Sequence, residues 1–350
     1  MVKQKTSSGA NAKPGRPAAP RRHVTSYDVA SLAGVSQSAV SRCFKPGASV
    51  SKQMRERVAR AVDQLGYQPN AIARGLITRR SNIVGVIVSN LNFYPEVLSE
   101  LSARFTDHGV HVLLFTLNHE SDVGRTLDQL WQYQVDGVVA AAHLTPVQIE
   151  LFRARRVPLV FYNRAYDYAP ACSVCCDQIA GERILVERLV QSGEHQSFAI
   201  ISGPGDSVVS MQRTRGALAQ LQQAGMGDIL TLEGDYSYES GRRATREIIA
   251  TRGNAPDAII CANDMMALGC LDQLRHQHDL DVPGDVSVVG FDGMRAAGWA
   301  SYDLTTIQQP VESMAEAAVS LLMSRLYNED QPPEKRVFSG VLRAGSTVRG

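Results

Sequence analysis

Val24-Thr25-Ser26-Tyr27-Asp28-Val29-Ala30-Ser31-Leu32-Ala33-Gly34-Val35-Ser36-Gln37-Ser38-Ala39-Val40-Ser41-Arg42 decides the fold of the amino-terminal part of this chain. Thr25 or Ser26 supplies an oxygen able to cap a helix, and Val29, Leu32 and Ala33 follow at helical spacing. Gly34 ends that helix, because glycine accepts the left-handed backbone with which helices commonly stop. Ser36 then caps a second helix with Val40 inward, and Ser51 opens a third bearing Met54, Val58, Ala61, Val62 and Leu65, which ends at Gly66. The small alanines and Gly34 let the first two helices cross closely, leaving the second free to present Gln37, Ser38 and Arg42. A helix fits the major groove, where glutamine can grip an adenine edge and arginine a guanine edge with two hydrogen bonds each. Thr25, Tyr27, Ser36, Ser41, Ser51 and Asn70 supply donors for phosphate oxygens; each serine or threonine alone reads equally well as a helix cap.

Charge distribution supports that reading. The whole chain of 350 residues carries a formal charge of only +1, but residues 1–80 hold 15 Lys and Arg against 3 acids, a net +12. Residues 81–350 hold 21 against 32, a net −11. A basic module that meets a polyanion is thus joined to an acidic body with another task. Residues 1–22 mix Lys, Pro, Gly, Ser and Ala with almost no large apolar side chain and read as a flexible basic tail. Within it Lys13-Pro14-Gly15-Arg16-Pro17 loosely resembles a minor-groove arm, and a solvated leader explains it as well.

From residue 81 the pattern changes to apolar runs (Ile83–Val88, 110–116, Gly137–Ala141, 158–162, 197–202, 258–262, 286–291) alternating with helix-length amphipathic stretches. Continuous apolar strands with helical crossovers predict parallel sheets covered on both faces, and about 110 residues per half predicts two of them. The expected division is a tail at 1–22, a headpiece at 23–68, a hinge helix and linker at 69–80 and a body at 81–350. Within the body, a first subdomain is expected at about 81–192 plus 308–322, and a second at about 193–307 plus 323–345.

No apolar run approaches the roughly 18–20 residues that span a bilayer, so a cytoplasmic protein with no membrane partner is expected. Six cysteines are too few for a disulfide scaffold, and Cys172-x-x-Cys175-Cys176 lacks the second ligand pair of a closed zinc site; no metal or other cofactor is expected. Gly203-Pro204-Gly205-Asp206-Ser207 lacks the Gly-Lys-Ser of a phosphate loop, no Gly-x-Ser-x-Gly or HExxH occurs, and nothing supplies a nucleophile beside Asn263, Asp264 and Asp292. No enzyme is expected.

Residues 24–42 closely resemble the headpiece of the lactose-repressor (LacI/GalR) family of bacterial transcription regulators. The resemblance continues through Val50-Ser51 and Leu65-Gly66-Tyr67-Gln68-Pro69-Asn70-Ala71-Ile72-Ala73-Arg74-Gly75-Leu76 and covers the body to about residue 345. It implies a small all-α helix-turn-helix headpiece plus hinge helix, followed by an α/β periplasmic-binding-protein-like body of two doubly wound parallel-sheet subdomains. In the hinge it implies DNA contacts from Asn70, Ala73 and Leu76, with Leu76 wedged between base pairs in the minor groove; read from the residues alone, Leu76 could also be hinge packing. Gly75 departs from the bulkier residue usual there and weakens the hinge helix in isolation.

Four stretches of the body, 234–241, 261–269, 282–292 and 304–310, are similar to the family's ligand-binding body. Carried over position by position, the resemblance makes Asn263 and Asp292 hydroxyl binders, Arg213 the ligand arginine, Tyr236 an aromatic stacked on the ligand, and Phe93 or Tyr94 its counterpart across the cleft. Asp177 is similar to a cleft acid and equally able to cap the following helix, and Arg164 is a second cation unless it pairs with Asp167. Two arginines on one ligand would favour an acidic sugar or sugar phosphate. The implied partners are a pseudo-palindromic operator, a sugar-like effector and a second copy of the chain in a homodimer. A repressor is expected, with an activator or corepressor-dependent regulator of the same family as the alternative; a sugar-binding transport protein would explain the body but not residues 24–76.

Overall fold

The computed structural model describes residues 24–45, 47–68, 80–89, 95–117, 122–164, 171–191, 193–328 and 331–350. The tail, the hinge residues Asn70, Ala73 and Leu76, and the loop residues Phe93 and Tyr94 lie outside the described residues. The chain divides into two compact units, one up to Thr78 and one from Arg79 onward.

In the amino-terminal unit, α1 (Ser26–Ala33), α2 (Gln37–Cys43) and α3 (Lys52–Leu65) each start on a capping hydroxyl, from Thr25, Ser36 and Ser51 respectively. Thr25 forms a reciprocal capping box with Asp28, and Gly34 and Gly66 close α1 and α3 at φ 63° and 60°. Val29, Ala30, Ala33, Val40, Val58 and Ala61 form the buried core, flanked by Phe44 and Tyr67 with their ring centroids 6.2 Å apart. With so few large side chains inside, the caps are a sizeable share of what keeps these short helices in place, each worth about 1 kcal/mol.

The second unit holds two six-stranded sheets. The first comprises β1 (Ile83–Val88), β2 (His111–Thr116), β3 (Gly137–Ala141), β4 (Leu159–Tyr162), β5 (Cys172–Cys176) and β11 (Lys335–Phe338), all parallel in the order β11-β5-β4-β3-β1-β2. The second comprises β6 (Phe198–Ser202), β7 (Ile229–Glu233), β8 (Ala258–Cys261), β9 (Ser287–Asp292), β10 (Thr305–Gln308) and β12 (Val341–Arg343) in the order β12-β10-β9-β8-β6-β7, with β12 antiparallel to β10. The inner strands β3, β4, β5 and β8 are buried along their whole length, as their composition, apolar but for Ser173, requires when helices cover both faces.

The first sheet is covered by α4 (Pro95–Asp107), α5 (Val123–Gln132), α6 (Pro146–Ala154) and α11 (Val311–Tyr327). The second is covered by α7 (Gln178–Gln191), α8 (Val208–Gln223), α9 (Tyr238–Arg252) and α10 (Asp264–Gln277). This differs from the sequence-based division of the body in two places. Residues 178–191 belong with the second sheet: Leu185, Val186 and Leu189 of α7 share a core with Phe198, Ala217, Phe291 and Ile307. Residues 323–338 belong with the first, because α11 runs unbroken to Tyr327 across β3, β4 and β5, with Leu322 filling the space beside Gly137, and β11 pairs with β5.

The chain therefore passes between the sheets at Asp177, at 309–310 and at 339–340. These passages lie together: the Asp177 amide donates to the Phe338 carbonyl at 2.8 Å. A Cβ on Gly340 would lie 2.3 Å from Cγ2 of Ile307, so only glycine fits where the strands cross.

Candidate functional site

On the headpiece, every side chain named for DNA contact among the described residues is exposed or half-buried. Ser38, Ser41 and Arg42 occupy one outward face of α2 while Ala39 and Val40 are buried behind them. The Arg42 guanidinium has no hydrogen-bond or ion-pair partner among the described residues, which leaves its five donors for a base edge. Gln37 is half-buried, with Nε2 3.3 Å from Oγ of Ser26, a long bond readily exchanged for a better acceptor. Tyr27 is 71% exposed. The hydroxyls of Thr25, Ser36 and Ser51 accept from the Asp28, Ala39 and Met54 amides at 3.4, 3.2 and 3.3 Å, so all three work as caps. A cap fixes the helix start, and the free amides and positive end of the helix there remain suited to a phosphate.

In the body, the named residues gather at the carboxyl ends of strands, where open α/β sheets hold ligands. Arg164 follows β4, Tyr236 follows β7, Asn263 follows β8, Asp292 ends β9, and Arg213 reaches in from α8. All five line one cleft of about 90 Å3, whose opposite wall includes Glu96 and Val97 of α4. Asp177 does not line it. It lines an adjoining cavity together with Asn163 and Arg164, and its Oδ1 accepts from the Ala180 amide at 3.0 Å as a helix cap.

Arg213 is the centre of the cleft. It is 2% exposed; Nε donates to Oε1 of Gln178 at 2.7 Å, Nη1 to the Ala262 carbonyl, and Nη2 to Oδ1 of Asp292 at 2.8 Å. Its guanidinium lies 3.8 Å from the Phe291 ring centroid. Burial works against its charge, but Asp292 and the neighbouring Tyr236 and Glu182 outweigh it and hold the guanidinium above its ordinary pKa. Oδ1 of Asp292 also accepts from Nε2 of Gln309 at 2.6 Å, and Nε2 of Gln178 donates to Oδ1 of Asn163 at 2.8 Å. Sequence reasoning missed Asn163, Gln178 and Gln309; the last two lie beside the passages between the sheets, a position that no local pattern reveals.

The remaining cleft residues differ in how far they are occupied. The Asn263 amide accepts from the Met266 amide at 2.9 Å and donates to the Tyr236 carbonyl at 3.0 Å, so it caps α10 and holds the Tyr236 loop while keeping a second N–H and a second lone pair for a ligand. The Tyr236 hydroxyl lies 3.0 Å from Oγ of Ser207, and its ring fills the space that a Cβ on Gly203 would take. Burial pushes the Tyr236 phenol up, so it remains a neutral donor. Arg164 is 9% exposed, and its guanidinium has no hydrogen-bond or carboxylate partner among the described residues. Asp167, its alternative partner, lies outside them. Asn163, Tyr236 and Asp292 have φ of 52°, 66° and 122°, a conformation that costs non-glycine residues on the order of 1–3 kcal/mol each and that collects at ligand sites.

Two buried acids support this layer. Asp264 accepts from the Thr306 hydroxyl at 2.6 Å and the Met294 amide at 2.8 Å, and burial with the Asp292 charge nearby pushes its carboxyl up to about 7. Glu182 on α7 is 1% exposed with neither oxygen hydrogen-bonded among the described residues, and burial raises it to about 8. The cysteines of β5 are buried, and Cys175 and Cys176 are pushed by burial up to about 11, which keeps both thiols protonated. No helix among the described residues is long and apolar enough to cross a membrane.

Residues 25–70 match the family described as bacterial regulatory proteins, lacI family, and residues 186–348 match the periplasmic binding protein-like domain. The HTH-type transcriptional regulator CelR of Thermobifida fusca is 34% identical, covering 91% of this chain and 96% of that protein. The ribose operon repressor of Escherichia coli (strain K12) is 30% identical, covering 86% and 93%. The lac repressor dimer bound to operator and the anti-inducer ONPF superposes with a TM-score of 0.83 at 29% identity, covering 94% of this chain and 100% of that one. The CelR–cellobiose complex superposes at 0.70 and 31%, covering 93% and 100%. With a headpiece built to present a recognition helix and relatives aligned over almost its whole length, the chain belongs to the LacI family of bacterial regulatory proteins, DNA-binding regulators of transcription.

Proposed function

We propose that this protein is a dimeric repressor whose hold on a pseudo-palindromic operator is controlled by a small sugar-like effector taken up in the cleft. The observation that carries the reading is the hydrogen-bonded chain through Arg213. It runs to Gln178 beside one passage between the sheets, and through Asp292 to Gln309 at another. A polyol that replaces the Arg213–Asp292 contact with its own hydroxyls acts directly on the segments that set the angle between the subdomains. The present space, about 90 Å3, is well below the roughly 300–1,000 Å3 of ordinary small-molecule sites, so the ligand must part the two sheets to enter. A dimer couples that change to the spacing of two headpieces, and thereby orders or melts the hinge residues 69–79 on DNA. The coupling is reciprocal: an effector that weakens operator binding is itself bound more weakly by the operator complex, by the same factor.

The relatives are named for cellobiose and for the ribose operon, which supports a neutral sugar. Arg164 supports the narrower reading of a sugar acid or sugar phosphate, since a buried guanidinium with no partner among the described residues is best satisfied by an anion. A thermal-shift screen of neutral mono- and disaccharides against sugar acids and phosphates, followed by operator binding with each hit, tests both. Stabilisation only by acidic sugars, lost in Arg164→Gln, supports the narrower reading, and stabilisation only by neutral sugars eliminates it. Hits that leave operator affinity unchanged overturn effector control itself.

A further inference from the structure

Away from the cleft, the first subdomain has a second concavity of about 400 Å3, lined by Arg80, Arg155, Arg156, Arg325, Trp131 and Asp136 among others. It lies at the amino-terminal edge of the first sheet, beside the chain entering β1 and β3. Two of its cations lie over aromatic rings: the Arg155 guanidinium is 4.8 Å from the Trp131 ring centroid, and that of Arg80 is 4.8 Å from Tyr327 while donating to the Leu326 carbonyl. Arg325 donates to the Gln331 carbonyl. None of Arg155, Arg156 and Arg325 pairs with a carboxylate among the described residues. The only acid among the described lining residues, Asp136, gives both oxygens to the backbone amides of Ser81 and Asn82 at 2.9 and 2.7 Å.

Arg156 adds an independent sign. It has φ 55° at the end of α6, the position that a helix ordinarily closes with glycine, and there a side chain costs about 1 kcal/mol. Helix ends explain some of this charge, since α5, α6 and α11 finish here and each carboxyl end carries about half a negative charge. Four guanidiniums exceed that, within a unit whose surroundings are acidic.

We propose that this concavity is a phosphate-binding site, the array of arginines receiving the oxygens of one phosphate group in forked hydrogen bonds. Two sources carry that chemistry: a free phosphate-bearing small molecule, and a phosphodiester of DNA, because Arg80 directly follows the linker from the headpiece in sequence.

The experiment uses the full-length protein, the Arg155→Glu/Arg156→Glu pair and Arg156→Gly, which removes one guanidinium while relieving the left-handed backbone. In the first arm, inorganic phosphate and pyrophosphate are compared with chloride at equal ionic strength by thermal shift. A rise in Tm that the double variant loses and Arg156→Gly reduces, with Arg156→Gly itself at least as stable as wild type in chloride, identifies a free anion. In the second arm, operator and random duplexes are titrated across a salt series. A slope of log affinity against log salt that falls by about one for each phosphate no longer engaged, equally on both duplexes, identifies the DNA backbone. If the variants change neither the phosphate response nor the salt slope, the site does not exist.

Discussion

Replacing Glu182 with glutamine should change how the stability of the body depends on pH. Glu182 is 1% exposed, Gly216 of the facing helix packs against it, and neither of its oxygens is hydrogen-bonded among the described residues. Burial raises its carboxyl from 4.5 to about 8, against the pull of Arg213 and with a small push from Asp292. The folded protein is therefore protonated at this position at neutral pH while the unfolded chain is ionised, and folding takes up a proton. A carboxyl whose folded pKa is raised contributes most below about pH 4.5 and loses that contribution as the pH rises to about 8. The loss amounts to about 1.4 kcal/mol per pH unit and on the order of 5 kcal/mol across the whole window.

Glu182→Gln keeps the shape and abolishes the titration. Its amide is as poorly partnered as the acid, a fixed cost of about 1–3 kcal/mol. Because the neutral acid carries the same cost, the two proteins should differ little in stability near pH 5, and the variant should be the more stable at pH 9, the curves diverging as the pH rises. Asp264, also raised by burial, titrates in both proteins. Urea unfolding at fixed protomer concentration, from pH 5 to 9, measures this through Trp131 and Trp299; with no tryptophan in the headpiece, fluorescence reports the body alone. Parallel curves, with a constant offset at every pH, would refute the assignment of a neutral buried acid beneath Arg213.

Arg42→Ala should relax sequence choice at one base pair by about 1–3 kcal/mol, read by competition between operator variants; equal losses on operator and random DNA would contradict base contact. Arg213→Ala should abolish the effector response while operator binding survives, because it removes the link between Asp292 and Gln178; an intact response in titrations of the operator complex would move the ligand elsewhere. Leu76→Ala should lower operator affinity and bending and leave effector binding unchanged, and a circular-permutation gel with undiminished bending would end the wedge hypothesis.

The headpiece was legible in the sequence because its signals act over three or four residues. A Thr25–Asp28 capping box, Ser36 and Ser51 at helix starts, and Gly34 and Gly66 at helix ends specify their geometry through bonds to nearby amides and carbonyls. The inner strands β1, β3, β4, β6, β8 and β9 were equally plain as apolar runs, whereas the inner β5 and β10, with Ser173 and with Thr305, Thr306 and Gln308, were not picked out as such. The weakest were the edges: β7 carries Thr231 and Glu233 on a half-exposed strand, and β11 begins with Lys335-Arg336, so neither shows the apolar run that marks an inner strand.

By itself, the sequence determined three capped helices in a basic module, two mostly parallel sheets in an acidic body, and the residue types gathered at the strand ends. The tertiary structure decided which sheet owns α7 and the end of α11, since an amphipathic helix encodes an apolar face but not the sheet that will cover it. It also brought the Asp177 carboxylate onto the start of α7, joined the Asn263 amide to the Tyr236 loop, and tied Arg213 through Gln178 and Asp292 to the passages between the sheets. Those outcomes depend on pairings such as that of Arg213 with Asp292, 79 residues apart, where distance in space is set by the packing of whole elements and leaves no periodic trace along the chain.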